Sequence, residues 1–125
     1  MIHEIKLLPS QFTLDVYKGS LKGIPKAFSK KYGGKKSSYL DLTEPGYDAF
    51  VVDIHSTKDS TIGVDTRIVL VLDENNYSDV LLVHELIHVL WHYARIVGLN
   101  MSYESQEWQA ITFEYLFEEV SKLYK

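Results

Sequence analysis

The segment that most restricts the fold of this chain is Asp79–Val97, with the sequence DVLLVHELIHVLWHYARIV. On a helix that advances about 100° per residue, the strongly polar side chains between Val80 and Val97 fall in one wedge about 100° wide. The rest of the circumference is almost entirely apolar. Because such a helix is typical of a protein interior, the pattern predicts a central, buried helix with one polar stripe. A buried polar stripe requires charged partners or a cleft.

Within this helix, residues 84–88 have the sequence HELIH, which is an HExxH motif. Positions four apart lie on one helix face, so the imidazoles of His84 and His88 can both reach one zinc ion. Glu85 can then hold a water molecule beside the metal and act as general base. The competing interpretation is a helix with a satisfied polar stripe and no metal, because a motif of five residues also occurs by chance.

A catalytic zinc site commonly has three protein ligands and one water molecule. His92 continues the row of histidines, but on a straight helix its Cα lies roughly 12 Å from that of His84, which is too far for both to bind one ion. We therefore expect His92 to support the ligands, to line the cleft or to be a satisfied core residue. The third ligand is expected on the C-terminal helix that follows Gly98. Glu107 is the preferred candidate, and Glu104 is the alternative.

The composition limits both the metal chemistry and the location of the protein. No cysteine occurs among the 125 residues, which excludes disulfides and thiolate zinc sites, so any metal must use His and carboxylate. The length suits a single domain, residues 1–125. The N-terminus lacks the pattern of a signal peptide, and polar residues of the motif interrupt the longest apolar run. We expect a cytoplasmic protein without a membrane partner.

The net charge of −4 is unevenly distributed along the chain. Residues 16–40 contain no acidic residue and seven lysines: Lys18, Lys22, Lys26, Lys30, Lys31, Lys35 and Lys36. This segment could contact nucleic acid or an acidic partner. A solvated, mobile segment is the favoured interpretation, because glycines interrupt the run and it has no Arg for bidentate phosphate contacts.

The periodicity predicts an α+β fold, with a small, mostly antiparallel sheet packed on the HExxH helix and on a long C-terminal helix. Strands are predicted at Ile2–Leu8, Phe12–Val16, Ser37–Thr43, Tyr47–His55 and Thr66–Leu72. Helices are predicted at Pro25–Tyr32, Asp79–Val97 and Tyr103–Leu123. The last two strands are expected to pair as a hairpin. If Thr66–Leu72 lies at the sheet edge beside the cleft, it can bind an extended peptide by strand addition.

The HExxH motif followed by Glu107-Trp108-Gln109-Ala110 resembles the gluzincin pattern. The layout is similar to that of small, single-domain, minigluzincin-like HExxH proteins of bacteriophages, and the resemblance covers about residues 66–120. It implies a zincin-like fold and zinc bound by His84, His88 and Glu107. It also implies that Glu85 is the base in peptide-bond hydrolysis, in the host cytoplasm if the protein is phage-encoded. The chain departs from the pattern after the third ligand, where larger gluzincins carry an acidic supporting residue.

The leading hypothesis is a zinc metallopeptidase that acts on a protein or peptide. One alternative is a catalytically inactive zincin-fold module that binds a protein. The other is a nucleic-acid-associated protein that uses the segment Lys18–Lys36. The sequence itself indicates neither the substrate nor the oligomeric state.

Overall fold

The computed structural model describes residues 1–6, 13–43, 48–56 and 65–125, which form an α+β fold. The strands are Ile2–Lys6 (β1), Thr13–Gly19 (β2), Ala49–Ser56 (β3) and Asp65–Asp73 (β4). The α-helices are Ile24–Tyr32 (α1), Asp79–Val97 (α2) and Gln106–Tyr124 (α3). Segments of 3₁₀-helix cover Leu21–Gly23, Lys36–Thr43 and Tyr103–Ser105.

The four strands form one mixed sheet in the order β1-β2-β4-β3. β1 pairs with β2 and β3 pairs with β4 in antiparallel fashion, whereas β2 and β4 are parallel, with Val16 opposite Leu70. The expected hairpin is confirmed as the pair β3–β4. The condition for strand addition at Thr66–Leu72, a position at the sheet edge, is not met, because β4 lies between β2 and β3. The edge strand beside α2 is β3.

Helices cover both faces of the sheet. α2 and α3 pack on one face, against a core that includes Leu14, Ile68 and Leu70. α1 packs on the other face, where Phe28 and its neighbours contact side chains that alternate with the first set, such as Val69 and Val71. Because successive side chains of a strand point to opposite faces, β2 and β4 are buried on both sides. The continuous apolar run of β4 follows from this double burial.

Most predicted elements are present with small shifts of their ends, but the strand predicted at Ser37–Thr43 is wrong. That segment is a 3₁₀-helix, in which the Thr43 hydroxyl donates to the Leu40 carbonyl at 2.7 Å. Short polar side chains of this kind form local hydrogen bonds that compete with a strand. The Tyr39 ring also packs edge-on against Phe28, with 5.6 Å between ring centroids. Residues 7, 8, 12 and 47 of the predicted strands lie outside the described residues.

α2 begins and ends where the sequence predicts. The Ser78 hydroxyl accepts a hydrogen bond from the Leu81 amide at 3.1 Å, and Gly98 ends the helix in the left-handed region with φ 75°. The prediction that α2 is buried around its whole apolar circumference is wrong, because the sheet and α3 cover only one face. On the other face, Val80 is 81% and Trp91 57% exposed. By length and composition alone α2 also qualifies as a membrane span, a test that core helices of soluble proteins pass too.

Candidate metal site and cleft

His84 and His88 lie on the exposed face of α2, one helical turn apart. Their ring centroids are 5.1 Å apart, and the His84 side chain is 67% exposed. Both side chains line a cleft of about 350 Å³ between α2 and β3. Because neither ring is enclosed by the core, both have room to turn their nitrogens towards a common ion. The sequence-predicted pair is therefore brought together at the surface of a cleft.

The Glu85 side chain points inward between these two histidines and is almost completely buried, with 6% of the residue exposed. Its Oε1 lies 3.9 Å from His84 Nε2. Burial raises the pKa of the Glu85 carboxyl group above its ordinary value, while the imidazoles of His84 and His88 oppose this rise. A carboxylate whose proton affinity is increased in this way is suited to accept a proton from a molecule in the cleft.

The wall of the cleft opposite the histidines is the start of β3, residues Ala49, Phe50 and Val51. Among the described strands, β3 pairs only with β4, so its other side is an edge. Edge strands present backbone N–H and C=O groups to which another extended chain can add. The cleft therefore combines two neighbouring imidazoles and a buried carboxylate on α2 with the edge strand β3.

Sequence reasoning missed Asp53, which connects β3 to α2. Its Oδ1 lies 2.7 Å from His92 Nδ1, and its Oδ2 accepts a hydrogen bond from the Arg95 guanidinium. His92 lines the cleft, in agreement with one of the roles expected for it. Asp53 lies on the same strand face as Ala49 and Val51. An acidic residue at that position of an otherwise apolar strand was the only signal in the sequence.

The structure does not bring Glu107 together with the two histidines. Trp108, Thr112, Leu116 and Val120 form the row of α3 that faces the core, and Glu107 lies about 100° from Trp108 on the exposed side. Glu104 is also exposed. Within the described ranges, no group of three His, Cys, Asp or Glu side chains is close enough to hold one ion. The assignment of the third ligand therefore stays a prediction.

The departure from the gluzincin pattern at Gln109 has a structural explanation. Its amide Nε2 donates to the Ser102 carbonyl at 3.1 Å and to the Ser105 hydroxyl at 2.9 Å. Ser102 N–H in turn donates to the Ser105 hydroxyl at 3.0 Å. Gln109 thus stabilises the turn before α3 and does not reach the cleft.

Tyr93 of α2 is a core residue. Its ring is buried and stacks on Trp108, with 5.5 Å between centroids. Tyr103 is 79% exposed in the turn before α3, and Tyr115 packs against the core formed by α2 and α3. The side chains that line the cleft are therefore those of α2 and β3.

The lysine-rich segment lies on the other side of the sheet from the cleft. It contains α1, whose Ile24, Phe28 and Tyr32 are buried, so the segment is folded and the expectation of a mobile segment is wrong. Its lysines are exposed or half-buried, and Lys31 pairs with Glu4 of β1. Contact with nucleic acid through this segment stays a prediction.

Comparison of the chain with protein-family models, with curated proteins and with solved structures finds no match. The structural class is therefore described by the fold itself, a mixed four-stranded sheet between α1 and the pair α2–α3. The zincin-like character and the activity are inferred below from the geometry of the cleft.

Proposed function

We propose that this protein is a zinc-dependent peptidase that cleaves an extended segment of a protein or peptide in the cleft between α2 and β3. The observation that carries the proposal is the geometry of α2. Two exposed imidazoles on successive turns flank a buried carboxylate, and an edge strand forms the opposite wall. A buried helix with a merely satisfied polar stripe would not place both rings at the surface of a cleft.

The side chains of the cleft fit zinc in their chemistry. His84 and His88 offer imidazole nitrogens, which are preferred zinc ligands, and the absence of cysteine leaves carboxylate as the natural third donor. Glu107 is our proposed third ligand. Because its side chain lies on the outer side of α3, binding to zinc requires the first turn of α3 to move towards the cleft.

A bound zinc ion would supply Lewis acidity to a water molecule and to the carbonyl of the scissile bond. Glu85 accepts the proton of the attacking water on its carboxylate and donates it to the leaving amine. Its burial favours the first step, because the protonated form is stabilised relative to a carboxylate in water. The outer edge of β3 orients the substrate by backbone hydrogen bonds, which require an extended chain but no particular side chains.

The first experiment measures metal binding. The protein is purified without chelator, its zinc content is determined by mass spectrometry, and zinc affinity is measured by equilibrium dialysis. We expect about one zinc per chain, and loss of at least tenfold in affinity for His84→Ala and for His88→Ala. His55→Ala is the matched control, because His55 is an exposed histidine of β3 that contacts Thr66. A wild-type protein that binds no zinc would remove the basis of the proposal.

Two further variants test the remaining roles. Glu107→Ala is expected to weaken zinc binding, whereas Glu104→Ala is expected to leave it unchanged; the reverse result would assign the third ligand to Glu104. Glu85→Gln is expected to retain zinc and to lose cleavage of an unfolded protein such as casein, followed by mass spectrometry. Cleavage that persists in this variant would contradict the role of Glu85 as base.

A further inference from the structure

A second cavity, of about 450 Å³, lies beside the cleft at the C-terminal end of α2. The two spaces are adjacent, because His92 lines both. Trp91 and Arg95 of α2 line this cavity, together with Leu99 and Met101 of the following turn. We call it the Trp91 pocket.

The apolar side chains that line the Trp91 pocket are exposed, although the protein has a hydrophobic core that buries other apolar side chains. The side chain of Trp91 is 57% and that of Leu99 37% exposed. The turn that carries Leu99 is firmly held, because Gly98 adopts φ 75° and the amides of Gly98 and Leu99 both donate to the Ala94 carbonyl. A preformed apolar concavity of this kind is typical of a ligand site.

The charges at the rim of the pocket are already paired. Asp53 binds both His92 and Arg95, so the positive charge of Arg95 is compensated by a carboxylate of the protein. The rim therefore offers no net positive charge to an acidic ligand. Together with the apolar walls, this favours a large aliphatic or aromatic side chain over a charged one.

The distance between the Trp91 pocket and the two histidines relates the pocket to the proposed peptide cleavage. Along α2, at about 1.5 Å per residue, its centre lies ~10 Å beyond the midpoint of the two histidines. Along β3, Asp53 at its rim is two residues beyond Val51 in the cleft. An extended chain rises about 3.3 Å per residue, so a substrate on the edge of β3 would span ~10 Å with about three residues, and the step from Val51 to Asp53 with two.

We infer that the Trp91 pocket is the specificity site of this protein, and that it takes a large apolar side chain two to three residues from the scissile bond. The position of the bound side chain relative to a scissile bond rests on the proposed peptidase function. The pocket itself does not depend on zinc, and peptide binding can be measured without cleavage.

The binding experiment uses Trp91 as its own probe. The chain has two tryptophans, and Trp108→Phe leaves Trp91 as the single one while it keeps an aromatic ring against Tyr93. Capped hexapeptides of glycine and serine that carry one Leu, Phe, Asp or Gly are titrated against this variant with chelator present. Because burial of a large apolar side chain is strongly favourable, we expect the Leu and Phe peptides to bind at least about tenfold more tightly than the Asp and Gly peptides.

Two substitutions locate the binding. Leu99→Ala in the same background is expected to weaken binding of the Leu peptide several-fold. Ile111→Ala is the matched control, because Ile111 is an aliphatic residue of α3 that is 59% exposed and lies outside the pocket walls. Equal binding of all four peptides, tighter binding of the Asp peptide, or equal effects of the two substitutions would overturn the inference.

A cleavage experiment separates this inference from the proposed function. The zinc-loaded wild-type protein is incubated with a peptide library, and the products are sequenced by mass spectrometry. Enrichment of large apolar residues two or three positions from the cut supports both proposals. Cleavage without such enrichment overturns the pocket and leaves the peptidase. Selective binding of the Leu peptide without any cleavage overturns the peptidase and leaves a peptide-binding pocket.

Discussion

Replacement of Glu85 by Gln should stabilise the metal-free protein at neutral pH and not at acidic pH. Glu85 is 6% exposed, and its burial raises the pKa of the carboxyl group. The folded protein therefore holds the Glu85 proton at pH values at which the unfolded chain has lost it. The stabilising effect of this proton is fully present below the pKa of the unfolded chain, about 4.3, and is lost as pH rises through the pKa of the folded protein.

The size of the effect follows from the burial of the charge. Placing a charged group in a buried position without full compensation costs roughly 1–3 kcal/mol. Glutamine has nearly the same shape and no charge, but its amide also loses hydration. We therefore expect Glu85→Gln to raise the free energy of unfolding by about 1 kcal/mol at pH 7.5. In urea, where the slope is about 1–3 kcal/mol/M, this corresponds to a rise of roughly 0.3–1 M in the midpoint.

The assay is urea unfolding followed by circular dichroism at pH 4.0 and pH 7.5, with chelator present. The increase in the urea midpoint caused by Glu85→Gln should be large at pH 7.5 and small at pH 4.0. Glu107→Gln is the control, because Glu107 is an exposed carboxylate on α3, and its midpoint should follow that of the wild type at both pH values. A variant that is less stable than the wild type at pH 7.5, or a gain that is equal at both pH values, would refute the argument from burial.

Three other predictions concern the scaffold that positions the cleft. Tyr32→Phe removes a hydroxyl that donates to the buried Asp15 carboxylate at 2.6 Å, so it should lower the free energy of unfolding by about 1–3 kcal/mol in urea titrations; an unchanged midpoint would contradict the role of this bond. Leu116→Ala opens a cavity where α3 packs on the core, so the free energy of unfolding should fall by about 3 kcal/mol in the same assay. A fall of less than about 1 kcal/mol would mean that α3 is not packed as described. Ser78→Ala removes the N-cap of α2 and should cost about 1 kcal/mol by thermal unfolding, while Ser37→Ala, an exposed serine outside any α-helix, should cost almost nothing.

The helices could be predicted from the sequence because their signals are local. Ser78 and Gly98 bracket α2 with the cap chemistry that helix ends require, and the structure places the helix between them. The same locality explains why His84 and His88 could be paired in advance. Residues four apart on a helix are neighbours whatever the rest of the chain does.

Apart from the hairpin β3–β4, the neighbours of the strands could not be predicted, because the other pairings join residues that are far apart in sequence. An apolar run such as β4 predicts burial, but it does not say whether the strand lies inside the sheet or at its edge. The insertion of β4 between β2 and β3 makes β3 the edge beside the histidines. The segment Lys36–Thr43 also depended on tertiary contacts, because Tyr39 packs on Phe28 of α1.

The positions of Asp53 and Glu107 relative to the cleft could not be predicted from the sequence either. Asp53 is 39 residues before His92, and nothing local predicts that its carboxylate holds both His92 and Arg95. The placement of Glu107 depended on which side of α3 faces the core. Trp108, one position further along, is the side chain that packs inward.

The sequence by itself thus determined that α2 is a helix from Asp79 to Val97 that carries two histidines on one face with a glutamate beside them. These features depend only on the helical repeat and on the caps. Only the tertiary structure decided that this face is exposed, that β3 forms the opposite wall of a cleft, and that an apolar pocket continues it. The physical reason is that burial and pairing are set by contacts between distant segments, which the periodicity of any single segment does not contain.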